Sequence, residues 1–415
     1  MTKTDILIIG GGPIGLSAAY YLLKSGRSVT LLDQASIGVG NAAGNAGQIV
    51  PSHIVPLAAP GVISSALKWM LDAKNSPFGM KISLDPAYIS WLMRFAAACS
   101  EANVTRSIPP LKELGLLSAR NFAKLIAEEK FDCSYQQTGL LTLYKTEKAF
   151  DEGKTEAETL LKNGLAAKVL DRISVYEQEP SARPEVIGGI HFSGDASLDP
   201  ARFLQLLAER LREMGAELCP NTPVTRIESA DGKVTRVFTL RDEFEPSQLV
   251  LAAGVWSPLV ARDLGLDLPI QPARGYSLTM SAPASMPRHA LVLGERKVAI
   301  TPLGDRLRLT GRLEIGEMGR APNPHWISAI QRAACEYIQI DGNPDIRETW
   351  AGLRPTTPDG LPIIGFSPKH SNLILATGHA MLGLTLGPGT GQIVAEIANG
   401  EKAAFDIRPM ALERF

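Results

Sequence analysis

Asp5-Ile6-Leu7-Ile8-Ile9-Gly10-Gly11-Gly12-Pro13-Ile14-Gly15, near the start of the chain, decides the architecture. Its first five residues are a short apolar run that reads as a buried parallel strand. Pro13 to Lys24 then reads as a helix, with Ile14, Ala18, Tyr21 and Leu22 on one face and Gly26 as its stop. A second strand, Ser28 to Leu32, ends at Asp33. The unit has the length of a βαβ crossover, about thirty residues.

Each residue type in the turn has a task. Gly10 permits the tight turn, Gly12 lets the backbone approach a pyrophosphate, and Gly15 lets helix and strand pack closely. The helix N-terminus at Pro13 and Ile14 supplies unpaired N–H donors and partial positive charge. Asp33, followed by Gln34, can accept hydrogen bonds from ribose hydroxyls, and its charge disfavours a 2′-phosphate. This segment alone does not separate FAD from NAD. A second glycine-rich stretch, Gly378-His379 through Gly387-Pro388-Gly389-Thr390-Gly391, lies near the other end of the chain and suggests one long cofactor gripped from both ends. FAD fits that description.

At 415 residues the chain exceeds one ordinary core, and two domains are expected. A net charge of −1 leaves no footprint for nucleic acid. Cys99, Cys133, Cys219 and Cys335 are scattered, which suggests neither a redox dithiol nor a metal site, and they read as buried thiols of a reduced compartment. No leader is expected ahead of the first strand, and no apolar run is long enough to span a bilayer. The chain is therefore expected in the cytoplasm, either soluble or peripheral on the inner face of the plasma membrane. The nearly uncharged stretch Ile54 to Met70 reads as a loop and helix over the cofactor, with a membrane-docking surface as the alternative.

Asp199-Pro200 reads as a cap and first turn of a helix running to Met214, with Gly215 as its stop. Strands follow at Val224 to Ile227 and Val234 to Leu240, joined by Asp231-Gly232. The apolar run from Gln248 then delivers the chain into Ala253-Gly254-Val255-Trp256, small residues that a cofactor can approach. Helix-rich and alternating-strand segments lie between these returns. The expected fold is α/β: a Rossmann-like FAD-binding domain of glutathione-reductase type, with an inserted α+β substrate domain. The first is assembled from residues 1–50, 196–265 and 347–415, the second from 51–195 and 266–346. The final helix is expected from Gly391 to Asn399.

Trp350-Ala351-Gly352-Leu353-Arg354-Pro355-Thr356-Thr357-Pro358-Asp359-Gly360-Leu361-Pro362-Ile363-Ile364-Gly365, with Ala376-Thr377-Gly378-His379 and the last glycine run, closely resembles the D-amino acid oxidase and dehydrogenase superfamily of FAD enzymes. Within it, Asn45-Ala46-Gly47-Gln48-Ile49-Val50-Pro51, Ala58 to Val62, Lys68-Trp69-Met70 and Arg274-Gly275-Tyr276-Ser277-Leu278 look like the bacterial D-amino acid dehydrogenases. The resemblance covers nearly the whole chain.

It implies that Arg354 binds the substrate carboxylate above the flavin, a task suited to a planar, bidentate guanidinium. The alternative is a structural ion pair with a neighbour such as Asp359. Glycine oxidases of the superfamily carry a carboxylate-binding tyrosine where this chain has Ala299, so the second contact is expected from Tyr276 or His53. His379 is expected beside the flavin. The cofactor is expected to touch Gly10, Gly12, Pro13, Ile14, Gly15, Asp33, Gln34, Asn45, Ala46, Gly47, Gln48, Val224, Ala253, Gly254, Trp256, Gly378, Leu382, Gly383, Leu384 and Thr385. The reaction implied is hydride transfer from Cα of a D-amino acid to non-covalently held FAD. Hydrolysis of the iminium then gives a 2-oxo acid and ammonia, and a quinone or another acceptor takes the electrons. A D-proline or hydroxy-D-proline dehydrogenase, a glycine or sarcosine oxidase, a flavin monooxygenase or NAD(P)H-dependent reductase, and a non-enzymatic flavin-binding protein are the alternatives.

Overall fold

The computed structural model describes residues 2–38, 40–70, 76–342 and 344–415. In the strand Thr2–Ile9, Ile6 and Ile8 face one side of a sheet and Leu7 and Ile9 the other, and both rows are buried. A strand buried on both faces shows no polar alternation, which is why the run reads as continuously apolar. It lies between Glu243–Leu251 and Val29–Leu32, parallel to both, with Ile9 level with Leu251 and Leu32. Glu217–Cys219 and Leu373–Thr377 extend the parallel sheet on either side. The antiparallel hairpin Val224–Ala230 and Lys233–Thr239, and the strand Ile363–Phe366, complete it. Because the three central strands end together, Gly10, Asp33 and Ala252 gather at one carboxyl edge, where open α/β sheets bind ligands.

Helices Pro13–Lys24, Pro200–Glu213 and Gly387–Ala398 cover the face of Ile6 and Ile8. Asp199 caps the second of these, accepting from the N–H groups of Ala201 and Arg202 at 3.0 and 3.2 Å. The third starts at Gly387 rather than Gly391, so the late glycine run forms its first turns instead of a loop. A Cβ on Gly391 would lie 2.5 Å from the Ser17 carbonyl carbon, and one on Gly389 3.0 Å from Leu114 O. These glycines serve close helix crossing, a tertiary demand that overrides their poor helix propensity.

The second sheet has nine strands, among them Ile346–Thr356, Gln271–Ser281, Arg306–Ile315 and Val298–Leu303 in antiparallel succession. One face packs Tyr276, Leu278, Ile300 and Leu309 against Ile327 and Ile330 of the helix Pro324–Cys335. The other face looks toward the carboxyl edge of the first sheet. Two elements cross the boundaries drawn from sequence. Ile346–Thr356 is an edge strand of the second sheet, and the helix Glu101–Glu129 packs Phe122 and Leu125 into the core of the first. Pairing partners far apart in sequence decide both placements. Among the described residues, no helix is long and apolar enough to cross a membrane.

Candidate active site

Between the two sheets lies a cavity of about 1100 Å³. That exceeds the few hundred Å³ of a small-metabolite site and suits a dinucleotide together with a substrate. Its floor begins at the first glycine turn. Gly10 has φ +115°, and a Cβ there would meet Ala252 O at 2.3 Å. Gly15 does not line the cavity: its Cβ would lie 1.9 Å from Gly10 O, so its task is helix-to-strand packing. At Gly12, by contrast, a Cβ would meet nothing within 4 Å. The space above Gly12, beside the N-terminus of the helix at Pro13 and Ile14, is the cradle that a pyrophosphate requires.

Asp33 Oδ2 accepts from Gly11 N–H at 2.6 Å and Oδ1 from Ala35 N–H at 2.7 Å, which orients the carboxylate at the cavity's edge. Gln34, Val224, Ala253, Gly254 and Trp256 line the same end. Asn45, Ala46 and Gln48 line the middle, and Gly47 does not. Gly47 has φ +77°, and a Cβ would sit 2.2 Å from Leu198 O, so it shapes the loop from behind. Thr385 ties this loop to the C-terminal turn, its hydroxyl donating to Gln48 O at 3.0 Å. Gly378, His379, Leu382, Gly383 and Leu384 complete this wall, whereas none of the residues from Gly387 to Gly391 reaches the cavity. From the C-terminal end, the cavity is therefore lined by residues 378–385.

His379 is buried, and its Nε2 lies 3.0 Å from Thr390 Oγ1. Burial pulls its pKa down to about 3, so the ring is neutral at ordinary pH. The His53 ring is exposed to the cavity, and the protein packed around it lowers its pKa too.

Arg354 projects from Ile346–Thr356 into the cavity. Burial pulls its pKa to about 10, so it stays cationic. The ion-pair alternative does not hold. Asp359 is engaged by Arg414 at 2.8 Å and Arg106 at 3.5 Å, and among the described residues no carboxylate pairs with Arg354. Among the described residues its one hydrogen bond runs from Nη1 to Arg312 O at 2.9 Å.

Tyr276 is excluded as the second carboxylate contact. It is fully buried on the helix-packed face, and its hydroxyl donates to Glu314 Oε2 at 2.6 Å. Strand residues alternate faces, so Gly275 rather than Tyr276 shares the face of Arg354. Ala299 does line the cavity, opposite Thr310. Thr310 also lines it, is only 7% exposed, and its hydroxyl finds no hydrogen-bond partner among the described residues. Nothing in the sequence singled out Thr310, since one threonine in an alternating strand carries no signal.

The loop that carries His53 is anchored by the buried Asp195, whose Oδ2 accepts from Ser52 Oγ at 2.6 Å. Burial raises the Asp195 pKa to about 7, against the opposing pull of the Ser52 hydrogen bonds. The native state thus holds a proton that the unfolded chain releases near pH 4, and stability should fall from about pH 4 up through 7 by at most about 1.4 kcal/mol per unit. Asp195→Asn should flatten that part of a Tm-against-pH profile. An unchanged slope would refute the assignment.

The chain matches the FAD dependent oxidoreductase family over residues 5–397. It is 34% identical to a D-amino acid dehydrogenase of Paramagnetospirillum magneticum over 99% of this chain and 98% of that protein. It is 32% identical to one of Allorhizobium ampelinum at the same coverage. Among solved structures, glycine oxidase of Geobacillus kaustophilus superposes over the full length of both chains with a TM-score of 0.80 at 22% identity, a likeness of fold. A match across nearly the whole chain, on a cavity whose glycine turn and Asp33 fit a dinucleotide, places this protein in the family of FAD-dependent oxidoreductases.

Proposed function

We propose that this enzyme oxidises the Cα–N bond of free D-amino acids to 2-oxo acids and ammonia, passing the electrons to a quinone or another acceptor rather than to oxygen. The carrying observation is Arg354: a half-buried cation with no carboxylate partner among the described residues, facing the cavity that holds the dinucleotide turn. Leaving such a charge uncompensated is costly unless a ligand supplies the anion. The names of the relatives favour a D-amino acid as that ligand.

FAD, when bound, supplies the hydride acceptor for the Cα hydrogen. Arg354 binds the carboxylate and so fixes where Cα stands. The Thr310 hydroxyl, or neutral His53, supplies the second polar contact. The only carboxylates lining the cavity among the described residues are Asp33 and Asp263, and both accept from backbone N–H groups. No carboxylate base therefore stands free beside the substrate, which reacts as the neutral amine and gives up its hydride as the nitrogen lone pair forms the iminium. Water then completes the hydrolysis. None of the four cysteines lines the cavity, in keeping with non-covalent FAD.

The acceptor side rests on the outer surface of the segments that roof the cavity, Val62–Met70 and Pro86–Ala98. Ile82 and Leu84, between these helices in sequence, are 95% and 89% exposed, and Leu67, Met93, Lys68 and Lys81 are exposed as well. An apolar face fringed by lysines suits an anionic bilayer that holds a quinone.

Anaerobic mixing with D- and L-amino acids should bleach the flavin with the D-series only. Turnover should run faster with quinone in anionic vesicles than with quinone in neutral vesicles or with oxygen. Bleaching by NADH alone would move the enzyme to another class. Peroxide formed as fast as quinone is reduced would make it an oxidase, and a pyrroline product from D-proline would mark a cyclic substrate.

A further inference from the structure

We propose that Gly275 is a positioning residue: its missing side chain, opposite a bulge at Arg312, is what seats the Arg354 guanidinium. The proposal rests on the assignment of Arg354 to the substrate carboxylate.

Gly275 and Gly352 stand directly opposite each other in the antiparallel pair Gln271–Ser281 and Ile346–Thr356. Neither has positive φ, so backbone conformation does not demand glycine at either site. Space does. A Cβ at Gly275 would lie 2.0 Å from Arg354 Nη2 and 2.1 Å from Cζ and Nη1. A Cβ at Gly352 would lie 2.0 Å from Trp350 Cη2 and Cζ2. Trp350 and Arg354 share one face of their strand and fold toward each other over the pair of glycines, indole on one and guanidinium on the other.

The partner strand is irregular at this level. Pairing with Arg306–Ile315 shifts register between Arg274 and Tyr276, and Arg312 has φ +64°. Bulges of this kind re-aim groups beside active sites. Here the Arg312 carbonyl accepts from Arg354 Nη1 at 2.9 Å. The guanidinium is thus held flat on bare backbone by one donor, and its remaining N–H groups are left for a carboxylate. A methyl at position 275 occupies the seat and tilts the fork away from the Arg312 carbonyl.

The test uses flavin-loaded enzyme with benzoate as a non-reacting carboxylate, followed by the flavin spectrum. Gly275→Ala should lower kcat/KM by about 100-fold through misplacement of the binding group. It should weaken benzoate by about tenfold, the worth of one hydrogen bond to a charged group. FAD content and Tm should stay at the parent's values. In an Arg354→Ala background, Gly275→Ala should change either quantity by no more than about twofold, because the group it acts through is gone. If Gly275→Ala keeps parental kcat/KM and benzoate affinity while Arg354→Ala loses both, the positioning role is wrong and the carboxylate assignment stands. If Arg354→Ala has no effect, the assignment itself fails. Should Gly275→Ala alone be insoluble, the double variant decides. Recovery of soluble, flavin-loaded protein on removal of the guanidinium supports the clash, and continued insolubility overturns the proposal.

Discussion

Arg354→Ala should lower kcat/KM for D-amino acids by about 30- to 4,000-fold, corresponding to roughly 2–5 kcal/mol of lost carboxylate binding. The range reflects how far bound substrate dehydrates the pair. Arg354→Lys should recover only part of the loss, because a point charge cannot reproduce the planar fork and its bond to Arg312 O. The structure adds a second expected result. Arg354 pairs with no carboxylate among the described residues and is pushed down in pKa by burial, so removing it relieves a desolvation cost in the ligand-free enzyme. Its Tm should equal or exceed the parent's, with normal FAD content. An Arg354→Ala enzyme that D-amino acids reduce as readily as the parent would sink the carboxylate role.

Two alanine substitutions within one turn should fail in different ways. Gly15→Ala places Cβ 1.9 Å from a backbone oxygen, that of Gly10, which cannot rotate aside. Overpacking against backbone belongs to the severe class of about 4 kcal/mol or more. At about 1 °C per kcal/mol for a chain of 415 residues, Tm should fall by about 5 °C or the protein should not accumulate. Gly12→Ala places Cβ where no protein atom lies within 4 Å, and Gly12 has φ −81°, which alanine adopts freely. Its fold should survive, while FAD affinity falls by about 100-fold or more, about 2.7 kcal/mol, because the methyl takes the space of the pyrophosphate. FAD released into the supernatant by acid, measured per mole of protein, reads the difference. A Gly12→Ala protein that retains parental FAD would place the pyrophosphate elsewhere.

The contrast between these glycines is one of neighbours. Gly15 and Asp33 meet their neighbours, Gly10, Gly11 and Ala35, within one βαβ unit, so a contiguous stretch shows them, whereas the packing of Gly10 on Ala252 and the depth of Gly15 behind the cavity wall were not visible. The late glycine run looked similar and has a different task. Gly389 and Gly391 answer to Leu114 and Ser17, residues that adjacency in sequence does not reveal.

Tyr276 failed as a site residue by one position. An alternating strand identifies its two faces but not which one meets the cavity, and here both are buried, so hydrophobicity does not break the tie. Pairing with Ile346–Thr356 on one side and Arg306–Ile315 on the other settles it, turning Gly275 inward and giving the Tyr276 hydroxyl to Glu314.

Local structure was legible without a structure: the glycine turn and its acidic end, the Asp199 cap and the hairpin at Asp231-Gly232. These depend on backbone geometry and side chains a few residues apart, and the order of residues carries that information. The fold decided which groups lack partners. Arg354 has no carboxylate partner among the described residues, since Arg106 and Arg414 hold Asp359, and the Thr310 hydroxyl, between Ala299 and Ser277 on the flanking strands, has no hydrogen-bond partner among them. Charge compensation and hydrogen-bond satisfaction are sums over everything within a few ångströms, and in this chain those neighbours come from distant segments.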